Sequence, residues 1–384
     1  MITTDTGGET PHVDRHDPSD DPVQLLSPTG ERVHHEVYSA RADHLDRAAL
    51  EGFYRDMALT RRFDVEATAL QRQGELGLWP PCLGQEAAQV GSARALRPQD
   101  FVFPSYREHG VAWVRGLDMR SLLLLYRGRE HGGWDAREHN YNVPTLVIGS
   151  HALHAAGYAM GIQRDGDVGT GDPDRDRAAV TYFGDGATSQ GDVSEAMVFA
   201  AAAGAPVVFF CQNNQWAISV PTAKQSRIPL VHRGTGFGIP SVRVDGNDVI
   251  ASYAVMAEAL ERAHSGGGPT FIEAVTYRMG AHTTSDDPTR YRSRAEEDMW
   301  RQRDPIARLR SHLERLGTGS DFFDAVEAEA DRLGEDARAY CRSLEHPPAE
   351  SMFDHVYATP HAQVERERAW FRDYKDSFET EVVR

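Results

Sequence analysis

The chain is short of cysteine, of basic charge and of long apolar runs, and each shortage excludes something. Three cysteines occur among 384 residues. Cys82, Cys211 and Cys341 form no CxxC pair and no paired framework, and a reducing, cytoplasmic setting is expected. Basic residues number 41 against 58 acidic, a formal charge of −17 at pH 7, which argues against nucleic acid and anionic membrane as partners. The longest apolar run, 196–211, is broken by Gly204 and Pro206 and falls short of the roughly 20 residues a membrane helix needs. No basic stretch followed by an apolar one opens the chain, so no secretory signal is expected. Internal repeats are absent, as is an early GxGxxG with an acid about 20 residues on, the mark of a dinucleotide-binding fold.

What is present centres on residues 182–216. The run 178–183 (AAVTYF) is β-branched and aromatic, as a buried strand is. Gly184-Asp185-Gly186 follows as a turn that brings backbone close to a ligand. A helix is predicted next, with start signals at Ser189 and Asp192 and an apolar face of Val193, Ala196, Met197 and Ala200. Gly204 and Pro206 stop it, and a second strand, 207–211, runs into Asn213-Asn214. This is a βαβ unit with parallel strands, and it predicts an α/β fold whose mostly parallel sheet is flanked by helices.

Sheets of that kind bind ligands at the carboxyl ends of their strands. The expected helix start at 187–190 offers free N–H groups and a positive dipole to phosphate. An acid, Asp185, nevertheless sits in the turn, and a carboxylate beside a phosphate calls for a cation between them. Mg²⁺ takes about six oxygen ligands near 2.1 Å, shared between protein and phosphates. Asp185 supplies a carboxylate oxygen, Asn214 an amide oxygen and the main chain near Trp216 a carbonyl.

Around this centre the chain reads in order. Residues 1–44 are acidic and aperiodic, a flexible arm with a local docking point at 23–26. Residues 44–73 turn helical, with Leu45, Ala49, Phe53 and Met57 facing inward and the arginines and acids on the solvated side. A turn-rich loop, 74–84, leads to a short helix at 85–96. Tyr106 and Arg107 stand at a helix entrance in 100–116, where an arginine is ordinarily a packed side chain and alternatively a fork gripping a diphosphate. Residues 146–161 are small and apolar, suited to close helix packing, and His151 and His154 there read as hydrogen-bonded core groups. Strands are predicted at 241–244 and 269–277, with a helix at 249–263 between them. Residues 278–293 are too polar for an element, so they form a candidate functional loop, expected to be mobile until a ligand orders it. Helices fill the chain from 295 on.

GDG, 26 intervening residues (187–212) and then NN resembles the thiamine diphosphate fingerprint. RQGEL (72–76), GQEAAQVGSA (84–93), FPSYREHG (103–110), CQNNQWAIS (211–219), RVDGNDV (243–249) and EAVTYRMGAHTTSDDPTRYRS (273–293) widen the likeness. Over roughly 45–380 the chain resembles the alpha subunit of the thiamine-dependent 2-oxo acid dehydrogenases, the branched-chain type closer than the pyruvate type, with the acetoin-cleaving enzymes as a related reading. The resemblance implies thiamine diphosphate and Mg²⁺ as cofactors and a thiamine diphosphate-binding domain at 45–294. It adds helical N- and C-terminal extensions, the latter at 295–384. It places Tyr106, Arg107, Ile148, Gly184, Asp185, Gly186, Ala187, Asn214, Trp216 and His282 at the cofactor, with Asp185, Asn214 and the Trp216 carbonyl on the metal and His282 catalytic. It further implies a beta subunit in an α₂β₂ assembly and a lipoyl-bearing dihydrolipoyl acyltransferase that receives the acyl group. The partner chain is needed because activation requires a carboxylate at the far end of the cofactor, and this chain reads as one parallel-sheet module without a second. Departures are also visible. Gln212 stands where mammalian branched-chain enzymes carry an arginine, Thr283 replaces a phosphorylated serine, Trp216 replaces a tyrosine, and 146–154 lacks the usual proline–glutamine pattern.

Overall fold

The computed structural model describes residues 18–129, 133–345 and 347–379. They fall into two compact units that divide after Cys341. Strands in chain order are β1 (Phe101–Phe103), β2 (Ala179–Gly184), β3 (Val207–Asn213), β4 (Trp216–Ala217), β5 (Val220–Pro221), β6 (Ser241–Asp245) and β7 (Thr270–Val275). Five of them form one sheet in the order β1-β2-β3-β7-β6, parallel throughout, and β4 and β5 make a small antiparallel hairpin beside it. The β6–helix–β7 segment is a second βαβ unit, and it joins the same sheet. All residues of β3 and the first five of β2 are buried, as strands covered by helices on both faces must be. One face packs Ala152, Ala155 and Ala159 of the helix Ser150–Asp165 and Val193, Ala196 and Ala200 of Gly191–Ala203 against Phe183 and Phe209. The other face packs Tyr182 and Phe210 against residues of Glu86–Arg94 and Val249–His264.

The turn after β2 differs from its expected form. Residues Asp185–Ser189 are a 3₁₀ helix, and the α-helix starts only at Gly191 with no side-chain cap. The capping pair read at Ser189 and Asp192 is therefore not made; Ser189 Oγ reaches Gln225 Oε1 instead. A 3₁₀ turn holds the chain close to the strand end, under the hairpin, where a full α-helical turn would swing it outward.

In the expected arm, residues 1–17 lie outside the described residues. From 18 on, the docking point expected at 23–26 is made, with many residues around it exposed. Val23 pairs with Val244 beside β6, and Leu25 and Leu26 are fully buried. The cause is Asp248. One of its oxygens caps the helix Val249–His264 through Ile250 and Ala251, and the other accepts the N–H groups of Leu25 and Leu26. Arg308, itself buried, closes the clasp on the Leu26 and Ser27 carbonyls and Asp245. The helices from 294 to 341 thus belong to the same unit as the sheet.

The acids expected on the solvated side of the helix Arg47–Arg72 are inside as well. Asp56, Asp64 and Glu66 are buried because other elements cover that side too. Each has partners there: Asp56 pairs with Arg94, Glu66 with Arg338, and Asp64 accepts from Trp79 Nε1 and the Cys82 amide. In the second unit, the helix Ala362–Glu379 sets Phe371 against Phe353, with Arg368 over the Phe353 ring.

Candidate active site

A cavity of about 450 Å³ opens at the carboxyl ends of β2, β3 and β7, and every residue expected from the sequence to meet cofactor or metal lies on its wall. The register explains the gathering. Gly184, Gln212 and Ala274 stand in one row across the three strands, so the segments leaving them start from one level. Those segments carry Asp185, Asn214 and the loop that follows β7.

Asp185 is buried. Thr222 Oγ1 and Gln225 Nε2 donate to its Oδ2 at 3.0 and 2.9 Å, and burial pushes its carboxyl above the usual range, opposed at a distance by Arg278. Gly186 makes room for protein: a Cβ there would stand 2.8 Å from Ala217 Cβ, so the turn and the hairpin close on each other. Asn214 Oδ1 accepts from the Trp216 amide at 3.3 Å. The Trp216 carbonyl accepts from Arg278 Nη1 at 2.8 Å, and its indole donates to Glu296. Among the described residues no three His, Cys, Asp or Glu side chains gather to hold a metal. The set of one carboxylate, one amide oxygen and one carbonyl offers hard oxygens only, and suits a divalent ion that draws its other ligands from phosphate and water.

The opposite charge comes from Arg107 and Arg278. Arg107 donates to the Pro81 carbonyl at 2.5 Å and the His282 carbonyl at 2.9 Å. Arg278, fully buried, also donates to the Ile218 carbonyl and the Tyr291 hydroxyl. Both guanidinium groups stand 3.3 Å from His282 Nδ1, and among the described residues neither has an ion-pair partner. Burial and then Arg107 bring Arg278 down to about 10. Burial, Arg107 and Arg278, in that order, lower His282 to about 3, so its ring is neutral. Since Nδ1 accepts from guanidinium, the proton of that neutral ring is on Nε2.

Arg278 escaped the sequence reading, although it lies inside a quoted stretch. Its signal was an arginine closing a buried strand, a place where a cation needs a reason. Gln212 has no charge to offer the cavity, and its amide is engaged elsewhere. Gln212 Nε2 donates to Glu108 at 2.7 Å, and its oxygen accepts from Gln89. Burial raises the Glu108 carboxyl, which Ser105 also serves. Of the two histidines near 150, His151 donates Nε2–H to the Tyr182 carbonyl at 2.7 Å and its burial lowers it to about 4; His154 is exposed. Ile148 is half-buried on the cavity wall.

Within the loop 278–293, expected to be mobile until a ligand orders it, polar bonds join distant residues beside the apolar contacts of Met279 and Tyr291. Arg292 donates to the carbonyls of Arg278, Met279 and Gly280, Asp286 accepts from the His282 amide at 2.9 Å and from Tyr291, and Thr284 N–H reaches the Trp79 carbonyl.

Residues 54–347 match the family model described as "Dehydrogenase E1 component". The chain is 46% identical to the 3-methyl-2-oxobutanoate dehydrogenase subunit alpha of Mycobacterium tuberculosis over 91% of its own length and 93% of that protein's. It is 38% identical to the pyruvate dehydrogenase E1 component subunit alpha of Acholeplasma laidlawii (86% and 94% covered). With the corresponding subunit of Bacillus subtilis the identity is 39%, with 80% of each covered. Match and geometry agree: the chain belongs to the dehydrogenase E1 component family, among the alpha subunits of the 2-oxo acid dehydrogenases.

Proposed function

We propose that this chain, joined to a beta subunit, forms the decarboxylating component of a branched-chain 2-oxo acid dehydrogenase complex, with thiamine diphosphate and Mg²⁺ held in the cavity. One observation carries this reading. The same wall bears two guanidinium groups that have no ion-pair partner among the described residues, and a buried carboxyl, Asp185, whose hydrogen-bond donors there are the neutral Thr222 and Gln225. A diphosphate answers the first and a divalent ion the second, and only both together leave no buried charge alone.

Arg107, Arg278 and Tyr106 would hold the diphosphate beside the Gly184–Ala187 turn. Asp185 Oδ1, Asn214 Oδ1 and the second lone pair of the Trp216 carbonyl would face the ion. When bound, thiamine diphosphate supplies the carbanion-stabilising chemistry that decarboxylation of a 2-oxo acid needs. His282 presents Nε2–H as a hydrogen-bond donor, and an anion between Arg107 and Arg278 would raise its basicity towards that of a proton-carrying group. Leu78, Leu146, Ile148 and Ile218 give the cavity its apolar lining, which keeps water from the reacting centre and suits an aliphatic side chain. Leu146, Val147 and Ile218 are more than half exposed, an apolar rim that fits a beta subunit closing the cavity. The acyl group passes to the lipoyl group of the acyltransferase. The three cysteines are buried and none is in a disulfide, which suits a reducing, cytoplasmic setting.

Branched-chain substrates are favoured over pyruvate because the 46% relative bears the name of a 3-methyl-2-oxobutanoate enzyme and those named for pyruvate stand at 38–39%. The test is to purify the chain with its beta subunit, add Mg²⁺ and thiamine diphosphate, and compare decarboxylation of 3-methyl-2-oxobutanoate with that of pyruvate. The expected kcat/KM is at least about tenfold higher for the branched acid, which carries two more methyl groups, each able to contribute that much in an apolar pocket. The chain without its partner should turn over neither. Preference for pyruvate would overturn the substrate, and robust turnover by the isolated chain would overturn the shared site.

A further inference from the structure

Gln85 stands in the N-cap position of the helix Glu86–Arg94, yet its side chain makes no cap bond. It is 1% exposed and lies on the cavity wall. A chain of bonds that begins at Trp216 sets the polarity of its amide. The Trp216 N–H needs an acceptor and finds Asn214 Oδ1 at 3.3 Å, which turns the Asn214 NH₂ the other way. That NH₂ donates to Gln85 Oε1 at 3.1 Å. The Gln85 oxygen is thereby engaged, and its Nε2 is left buried without an acceptor among the described residues. Buried donors without acceptors are rare, because each has lost water and gained nothing. Nearby, Arg278 Nε is in the same state, and Arg107 and Arg278 make this part of the wall cationic. Whatever fills the cavity here must bring acceptor oxygens.

We propose that Gln85 is a further ligand-binding and positioning residue: its Nε2 donates to a phosphoryl oxygen of the bound diphosphate, while its Oε1 holds the Asn214 amide so that Oδ1 is the oxygen available to the cation. This deepens the cofactor reading above and rests on it. The two halves of the role act on one group, since the amide that orients a metal ligand also contacts the anion the metal bridges. Substrate is not involved, so binding alone reports on it.

The experiment measures calorimetric binding of inorganic pyrophosphate and of thiamine diphosphate, each with Mg²⁺, to the complex of this chain with its beta subunit. Gln85→Leu removes donor and acceptor and should weaken both ligands by about tenfold. Gln85→Glu keeps an acceptor for Asn214 but sets a carboxylate oxygen where the NH₂ stood, and should weaken both at least as much. Wild-type affinity in Gln85→Leu overturns the proposal. Wild-type affinity in Gln85→Glu overturns the donor role, because orientation of Asn214 alone would then suffice. If Gln85→Leu does not assemble, the near-isosteric Gln85→Glu decides the matter. A wild-type complex that binds neither ligand overturns the cofactor reading itself, a result distinct from any variant's behaviour.

Discussion

His282 shows how the cavity sets the chemistry of a single residue. Free imidazole titrates near neutrality, but here burial and two guanidinium groups leave a neutral ring with a donor at Nε2. Replacing it by alanine should cut turnover by roughly 10²–10⁴, the reach of a positioned acid–base group. Cofactor affinity should fall far less, because Arg107, Arg278 and the oxygens around Asp185 remain. Steady-state rates with substrate and lipoyl acceptor saturating, beside a calorimetric titration of thiamine diphosphate, separate the two effects. Near-normal turnover in the variant would reduce His282 to a spacer between two arginines. His282 itself was legible from its matching stretch. Its neutrality was not, since Arg107 lies 175 positions away in sequence.

Among elements, the turn that enters the helix Glu86–Arg94 decides where Gln85 stands. Gly84 has φ +94°, and a Cβ there would lie 2.3 Å from the Tyr277 carbonyl oxygen. Its N–H donates to Glu86, and its carbonyl accepts from Thr276. Left-handed backbone and overlap with main chain both penalise any side chain, so Gly84→Ala should destabilise the fold by about 3 kcal/mol, as overpacking and αL strain together do. A urea titration of the variant against wild type checks this, and an unchanged midpoint would show that the turn relaxes freely. Strand, turn, helix, strand and Asn-Asn were readable as a succession of elements because their apolar periods are local. The 3₁₀ turn was not, for it depends on the hairpin Trp216–Pro221 closing over Gly186.

For the whole molecule, buried titratable groups make stability depend on pH. Burial raises the Asp64 carboxyl from 3.8 to about 7, against the bonds from Trp79 and Cys82 that lower it. The native state therefore keeps this proton over a range in which the unfolded chain has lost it. Its contribution is full below about pH 4 and declines as pH rises through 7. Asp64→Asn carries no such proton, so relative to wild type it should gain on the order of 1–3 kcal/mol between pH 5 and pH 8. Urea midpoints of both proteins at the two pH values give the difference; a gap that does not change with pH would mean that Asp64 is ionised in the native state throughout.

The sequence by itself determined the α/β class and the βαβ centre, because their apolar periods are local; the family resemblance of short stretches pointed to Tyr106, Arg107, Asp185, Asn214, Trp216 and His282, all of which line the cavity. The tertiary structure alone decided that residues 25–27 are clasped by Asp248 and Arg308, and that Asp56, Asp64 and Glu66 are interior. It also decided that Arg278 supplies the second cation of the cavity while Gln212 turns to Glu108, and that Gln85 keeps a donor without a partner among the described residues. Each of these follows from which distant segments cover a side chain. Burial and pairing are properties of neighbours in space, and the order of residues along the chain does not contain them in readable form.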